Sequence, residues 1–163
     1  MAGHIIYVHD TIPAPPQTVW EVITDVDEAD RILRSVTDSH LMTEGEFGVG
    51  TAWRERRTIF GHHGEEELHV VECSPPRRLV VETRLGHDTV RTAYSLTPAN
   101  GHDDRTRLGM TTTVQMTDRT PVGNLAWKFF GGFSYDATRR MLEHDLADIT
   151  TEVARRSAGL PAG

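Results

Sequence analysis

Three side chains that could polarise a carbonyl or move a proton lie on two segments of alternating polarity. Glu55 and Arg57 alternate with Trp53 in one segment, and Tyr94 lies in another. Because successive side chains of a β-strand point to opposite faces, Trp53, Glu55 and Arg57 are expected to share one face. A carboxylate, a guanidinium and a phenol on one face could activate a ketone. We therefore take Arg57, Tyr94 and Glu55 as candidate catalytic residues.

The strand that carries Glu55 and Arg57 has two further interpretations. A register that differs by one residue would place Arg54, Arg56 and Thr58 inward instead. Alternatively, Glu55 and Arg57 could lie in solvent at the end of the sheet. Only the inward arrangement requires the two charges to pair or to meet a polar ligand, because an unpaired buried charge is costly. The sequence leaves these arrangements open.

A largely apolar wall is predicted around the polar groups. Strand alternation and helical spacing bring its residues to one inward face. The predicted ligand-binding residues are Trp53, Leu68, Val81, Thr92, Tyr94, Met110, Thr112, Phe133, Ala137 and Met141. Sites that bind small molecules have such walls, with a few placed polar groups. Simple core packing is the alternative for the apolar members, and a structural hydrogen bond is the alternative for Tyr94.

The elements that position these residues follow a simple order. A first strand runs from Ile5 to Ile12, and Pro16 opens a short helix after it. A second short helix is predicted from Asp27 to Leu33. From Val36 onward, turn residues separate further strands at the spacing of an antiparallel meander. The predicted fold is α+β, with two short helices between the first two strands.

The last part of the chain has the period of a long helix. From Ser134 to Ser157 such a helix would be roughly 36 Å long at 1.5 Å per residue. Its predicted apolar stripe contains Phe133, Ala137, Met141 or Leu142, Leu146, Ile149 and Val153. Its predicted polar side contains Arg139, Glu143, Asp148 and Glu152. A seven-stranded, curved antiparallel sheet would wrap around this helix in a helix-grip fold.

Length and composition favour one domain. A chain of 163 residues fits a single hydrophobic core. We assign residues 1–157 to that domain and residues 158–163 to a disordered tail. No apolar run reaches the roughly 20 residues that a membrane span requires. The first residues leave no room for a secretion signal before the first strand, so we expect a cytoplasmic protein.

Charge and residue types exclude several function classes. The net charge of −7 would repel a phosphate backbone, so nucleic acid is not an expected partner. Cys73 is the only cysteine, which excludes an intrachain disulfide and favours a buried structural thiol. The His62-His63 pair falls in a predicted hairpin turn, and no metal-ligand spacing is present. We expect no metal and no cofactor.

Several phrases of the sequence resemble one protein family. The stretch from Ile12 to Asp25 looks like the opening strand-to-helix phrase of the START-like (SRPBCC) superfamily, specifically its polyketide cyclase/dehydrase-like branch. Further similar phrases are Gly50-Thr51-Ala52-Trp53-Arg54, Pro75-Pro76-Arg77-Arg78-Leu79 and Tyr94-Ser95-Leu96-Thr97-Pro98. Members often carry an aromatic-proline pair in the second short helix, where this chain has Asp27-Glu28-Ala29-Asp30-Arg31-Ile32-Leu33. The resemblance covers nearly the whole chain.

The resemblance implies a hydrophobic tunnel between sheet and helix, and three functions follow as hypotheses. The first is binding or carriage of a small hydrophobic ligand, such as a lipid, a quinone or a polyketide-like aromatic. The second is a polyketide cyclase, aromatase or dehydratase. The third is an interaction module like the superfamily's chaperone activators, which would need an exposed apolar patch. A monomer and a homodimer are both compatible with a free sheet edge.

Overall fold

The computed structural model describes residues 3–59, 62–85, 87–115 and 135–159. Seven strands form one sheet: β1 (Gly3–Ile12), β2 (Val36–Leu41), β3 (Ala52–Ile59), β4 (His62–Ser74), β5 (Arg78–Leu85), β6 (Asp88–Ala99) and β7 (His102–Gln115). The helices are α1 (Pro16–Ile23), α2 (Ala29–Ile32), which a 3₁₀ turn over Val26–Glu28 precedes, and α3 (Tyr135–Ser157). The predicted helix-grip architecture is confirmed, including the two short helices between β1 and β2.

The sheet is entirely antiparallel, with the order β1-β7-β6-β5-β4-β3-β2. Its connections join neighbouring strands, except that β1 pairs with the last strand. The predicted alternation holds across the sheet: Leu108, Met110 and Val114 of β7 are buried on the face toward α3, which we call the inner face. Because an extra residue at Val71 shifts the register of β4 against β5, Cys73 also packs against the core.

One part of the strand prediction needs correction. His62 and His63 belong to β4 and not to a hairpin turn, and the Nδ1 of His63 lies 3.0 Å from the hydroxyl of Thr58. At the end of α3, the backbone N–H groups of Ala158 and Gly159 bond to carbonyls of its last turn. Gly159 has a φ of +67°, which a helix C-cap requires and glycine adopts freely. No helix among the described residues could cross a membrane.

Helix α3 is attached to the α1–α2 region by charged side chains. Asp148 was predicted on its solvent-exposed side, but it is buried and its Oδ1 lies 2.8 Å from the Nε of Arg34. Asp148 also accepts the backbone N–H of Arg34 at 3.0 Å. About two turns further along α3, the Nη2 of Arg156 lies 2.7 Å from the Oδ2 of Asp25. Helical spacing could not anticipate these contacts, since both partners lie more than 100 residues away.

Burial is uneven across the inner face. Ile12, Leu79, Leu96, Leu108 and Val153 are almost completely buried and form a tightly packed region. The half-buried row, in contrast, consists of inner-face residues that are only partly covered: Leu68, Val90, Thr92, Tyr94 and Met141. Because protein cores are close-packed, incomplete cover over inward-facing side chains indicates space beside them. Among the described residues, the half-buried row is therefore the part of the inner face where we expect space for a further group.

Candidate functional site

A buried charged network joins β3 to α3. The guanidinium of Arg57 donates from Nε to the Oε1 of Glu55 at 2.6 Å and from Nη1 to the Oδ2 of Asp145 at 2.8 Å. Its Nη1 also lies 3.1 Å from the hydroxyl of Ser35, which donates to the Oδ1 of Asp145 at 2.9 Å. The indole N–H of Trp53 donates to the Oε2 of Glu55 at 3.2 Å. We call these five residues the Arg57 network.

The burial of these side chains decides which residues of β3 point inward. Only 3% of the Glu55 side chain, 11% of Arg57 and 5% of Asp145 are exposed. Glu55 and Arg57 therefore lie on the inner face, and Arg54 and Arg56 lie outside, where they pair with Glu65 and Glu67 of β4. The buried charges are tolerated because each has an opposite partner and further hydrogen bonds.

Two donor groups of this region remain without a partner among the described residues. The Nη2 of Arg57 and the hydroxyl of Tyr94 take part in no hydrogen bond that involves those residues. In the described part of the chain, every polar side-chain atom that is fully buried has a hydrogen-bond partner. Since these two atoms have none, both retain some exposure to solvent. Burial raises the pKa of Tyr94 well above its usual range, which the nearby charge of Arg57 only partly opposes. Tyr94 is therefore a protonated phenol that can donate a hydrogen bond.

The predicted wall residues divide into three groups. Trp53, Val81 and Met110 are core residues, whereas Leu68, Tyr94 and Met141 pack against the core while remaining partly covered. Ala137 is also half-buried, on the first turns of α3. The hydroxyls of Thr92 and Thr112 lie 2.9 Å apart, so the two predicted polar contacts bond to each other. Phe133 lies outside the described residues.

Sequence reasoning missed two carboxyl groups. Asp145 interrupts the apolar stripe of α3, four residues after Met141 and four before Ile149, which is the signal that could have revealed it. Glu66 alternates with Leu68 on β4 and lies directly opposite Glu55. Burial raises the pKa of Glu66, and the charge of Arg57 lowers it in part. Glu55 was chosen because it alternates with the apolar Trp53 on β3, and Glu66 alternates with the apolar Leu68 on β4 in the same way.

Other kinds of site have little support in the described part of the chain. No group of three or more His, Cys, Asp or Glu side chains there is arranged to hold a metal ion. Cys73 is half-buried, and burial raises the pKa of its thiol, so the thiolate is disfavoured. Among the described residues, the exposed large apolar side chains are Ile5 and Tyr7 on β1, Leu41 at the end of β2, Met42 and Val49 in the segment after it, and Tyr135 at the start of α3. They do not lie on one element.

Solved structures with the same fold extend over the whole chain. The Zhui aromatase/cyclase from Streptomyces sp. R1128 aligns with a TM-score of 0.78 and 18% identity, over 98% of this chain and 100% of the other. A START superfamily protein from Mycobacterium smegmatis aligns with a TM-score of 0.68 and 15% identity, over 93% and 98%. Norcoclaurine synthase from Thalictrum aligns with a TM-score of 0.67 and 12% identity, over 96% and 97%.

A family model identifies the chain more directly. No curated protein matches the sequence. The model described as polyketide cyclase / dehydrase and lipid transport matches residues 4–157, which include every described strand and helix apart from one terminal residue. The fold of this family binds hydrophobic ligands, which agrees with the half-buried row of the inner face. The chain belongs to the polyketide cyclase / dehydrase and lipid transport family.

Proposed function

We propose that the protein binds a small hydrophobic ligand between the inner face and α3. The apolar body of the ligand lies along Leu68, Val90 and Met141 of the half-buried row. Its polar end accepts hydrogen bonds from the Nη2 of Arg57 and from the hydroxyl of Tyr94. A lipid, a quinone or a polyketide-like aromatic would each fit this description.

One observation carries the proposal. Arg57 is held by three groups of the network, yet its Nη2 has no acceptor among the described residues, and Tyr94 within its electrostatic reach has none either. Both donors lie beside an apolar row and remain open to a hydrogen-bond acceptor from outside the protein, a combination typical of small-molecule sites. A ligand oxygen would supply that acceptor.

Within this proposal Glu55 has a positioning role. Both of its carboxylate oxygens are occupied, one by Arg57 and the other by Trp53. It therefore orients the guanidinium so that Nη2 faces the ligand space, and it does not itself contact the ligand. The site would likewise be supported from within the core by Trp53, Val81 and Met110, which were predicted to contact the ligand.

Filling the proposed space tests the function. Leu68→Trp adds volume on the inner face of β4, whereas His69→Trp adds the same side chain to the adjacent, exposed position of the same strand. The neutral aromatic ketone prodan changes its emission when it enters an apolar site, and titration gives its affinity. We expect the wild type and His69→Trp to bind prodan and Leu68→Trp to lose at least tenfold in affinity. Equal affinities of the two folded variants would contradict the proposal.

A cyclase or dehydratase activity is the second candidate, and the same two donors favour it. In aldol closure, a methylene loses a proton, its carbon bonds to a ketone carbon, and the ketone oxygen takes up a proton to become a hydroxyl. Loss of that hydroxyl with a neighbouring proton then releases water. Arg57 and Tyr94 would stabilise the oxygen as negative charge develops on it.

Mass spectrometry of a poly-β-keto thioester incubated with the protein tests this second function. Turnover is seen as loss of water from the substrate. We expect Tyr94→Phe and Arg57→Lys to reduce the rate by a factor of at least ten, with Tyr135→Phe, a change at an exposed tyrosine, as the control. If the protein binds the thioester but no loss of water is detected, ligand carriage remains as the function.

A further inference from the structure

Glu66 is a carboxyl group that the Arg57 network leaves out. It lies on β4 directly opposite Glu55 of β3, so the two side chains lie on the same face and close together. Glu55 is fully bonded, whereas no described residue forms a hydrogen bond or an ion pair with the carboxyl of Glu66. Glu66 is half-buried and precedes Leu68 of the half-buried row on the same face of β4.

The charges of this region do not balance. Arg57 supplies one positive charge, and Glu55 and Asp145 already bring two negative charges within 2.8 Å of its nitrogens. An ionised Glu66 would add a third carboxylate on the same inner face. Because charges in a partly buried environment interact strongly, a further anion beside this network is unfavourable.

We propose that Glu66 contacts the ligand as a neutral carboxylic acid and that the site selects an uncharged ligand with a carbonyl oxygen over an anionic one. This inference rests on the proposed binding function and specifies the chemical class of its ligand. The three groups without partners are then all donors: the Nη2 of Arg57, the hydroxyl of Tyr94 and the protonated carboxyl of Glu66. A ketone or quinone oxygen accepts such bonds without adding charge.

The groups that face Glu66 determine its protonation. Burial raises the pKa of Glu66, the charge of Arg57 lowers it, and the charges of Glu55 and Asp145 raise it further. These neighbours come from β3 and α3. Within this proposal, a neutral Glu66 limits the excess of negative charge beside Arg57.

A matched set of naphthalene ligands tests the selectivity. Competition against prodan measures the affinities of 2-acetonaphthone, 2-naphthoate and 1-(2-naphthyl)ethylamine, which carry a ketone, a carboxylate and an ammonium group on one ring system. We expect the ketone to bind at least tenfold more tightly than the carboxylate at pH 7. A carboxylate or an ammonium compound that binds as tightly as the ketone would overturn the proposal.

Variants of Glu66 separate a neutral acid from an ionised one. Glu66→Gln keeps a donor and the shape of the side chain, so its affinity for 2-acetonaphthone should stay within about threefold of wild type. Glu66→Leu removes the donor and should lose about tenfold, the fold-change expected for one hydrogen bond. Glu65→Gln, which changes the preceding and exposed residue, is the control. Equal affinity of Glu66→Leu and wild type would refute the contact.

The pH dependence gives an independent readout. Affinity of the wild type for the ketone should fall as the pH rises through the pKa of Glu66, since the ionised group cannot donate, while Glu66→Gln should show no such fall. If the wild-type affinity does not change from pH 5 to 9, this inference is overturned while the proposed binding function still holds. If none of the naphthalene compounds binds the wild type, the proposed function fails, and this inference fails with it.

Discussion

Arg57 of β3 and Asp145 of α3 are 88 residues apart in the sequence, and their Nη1 and Oδ2 atoms lie 2.8 Å apart. This ion pair is the link between the sheet and the helix that closes over it. It is also part of the proposed site, so the contact that positions Arg57 for a ligand contributes to holding the two layers together.

Replacing Asp145 should strongly destabilise the protein. Asp145→Ala leaves Arg57 with one carboxylate partner fewer in a buried setting, which typically costs about 3–5 kcal/mol. Urea unfolding monitored by circular dichroism measures the change in the free energy of unfolding. Glu143→Ala, two residues earlier and exposed, breaks only a surface pair with Arg139 and should cost less than about 1 kcal/mol. A loss below 1 kcal/mol for Asp145→Ala would contradict the assigned role.

The Arg34–Asp148 pair should respond unequally to removal of its two members. Asp148 is buried and bonds both the side chain and the backbone N–H of Arg34, whereas two thirds of the Arg34 side chain is exposed. Asp148→Ala should therefore cost about 2 kcal/mol, and Arg34→Ala about 1 kcal/mol or less. Thermal and urea unfolding of both variants measures the difference. Equal losses would show that the backbone contact is unimportant.

Glu152 should make the protein less stable in acid. Hydrogen bonds from Arg155 and Arg156 lower the pKa of Glu152 to about 2 in the folded state, against 4.5 as its ordinary value. A carboxylate with a lowered pKa stabilises the fold above its unfolded pKa, and that contribution disappears as the pH falls toward the folded pKa. The Glu152 side chain is 13% exposed, so the contribution is about 2–3 kcal/mol near neutral pH.

Glu152→Gln should accordingly lower the free energy of unfolding at pH 7 and approach the wild type as the pH falls from 5 toward 2. Urea unfolding at several pH values measures this. Glu143→Gln, whose carboxylate is about half exposed, serves as the control and should give a nearly constant difference from wild type. A Glu152→Gln effect that does not depend on pH would argue against the ion pairs.

Gly109 should tolerate a side chain only if Tyr7 moves. A Cβ atom at Gly109 would lie 3.1 Å from the ring of Tyr7 and 3.2 Å from the Oγ of Ser95, closer than ordinary packing allows. Gly109→Ala should cost about 1 kcal/mol in the wild type. In a Tyr7→Ala background it should be neutral or stabilising, because alanine restricts the unfolded chain. A double-mutant cycle measures this coupling, and additive effects would refute it.

The strand order and the facing of side chains could be predicted because strands have a two-residue period and proline and glycine mark the turns. The register of β3 could not, since Arg54, Glu55, Arg56 and Arg57 present charges to both faces. The inward position of Glu55 and Arg57 depends on Asp145, which comes from α3 and pairs with Arg57. For the same reason Asp148 was misplaced: helical spacing groups it with polar neighbours, and its partner Arg34 belongs to a distant loop.

The site was predicted in part. Arg57, Glu55 and Tyr94 do come together, within electrostatic reach of one another. What the sequence could not provide is which of their polar atoms remain unbonded, because that depends on contacts between separate elements. Glu66 was overlooked although its spacing from Leu68 matches that of Glu55 from Trp53.

Among the described residues, the ion pairs of α3 with other elements are formed between its middle and its C-terminal end, by Asp145, Asp148 and Arg156. Displacing this part of the helix would break the buried Arg57–Asp145 pair and two ion pairs that are only partly covered. For the proposed ligand we therefore expect entry beside the first turns of α3, and substitutions there should change its association and dissociation rates while the melting temperature stays the same.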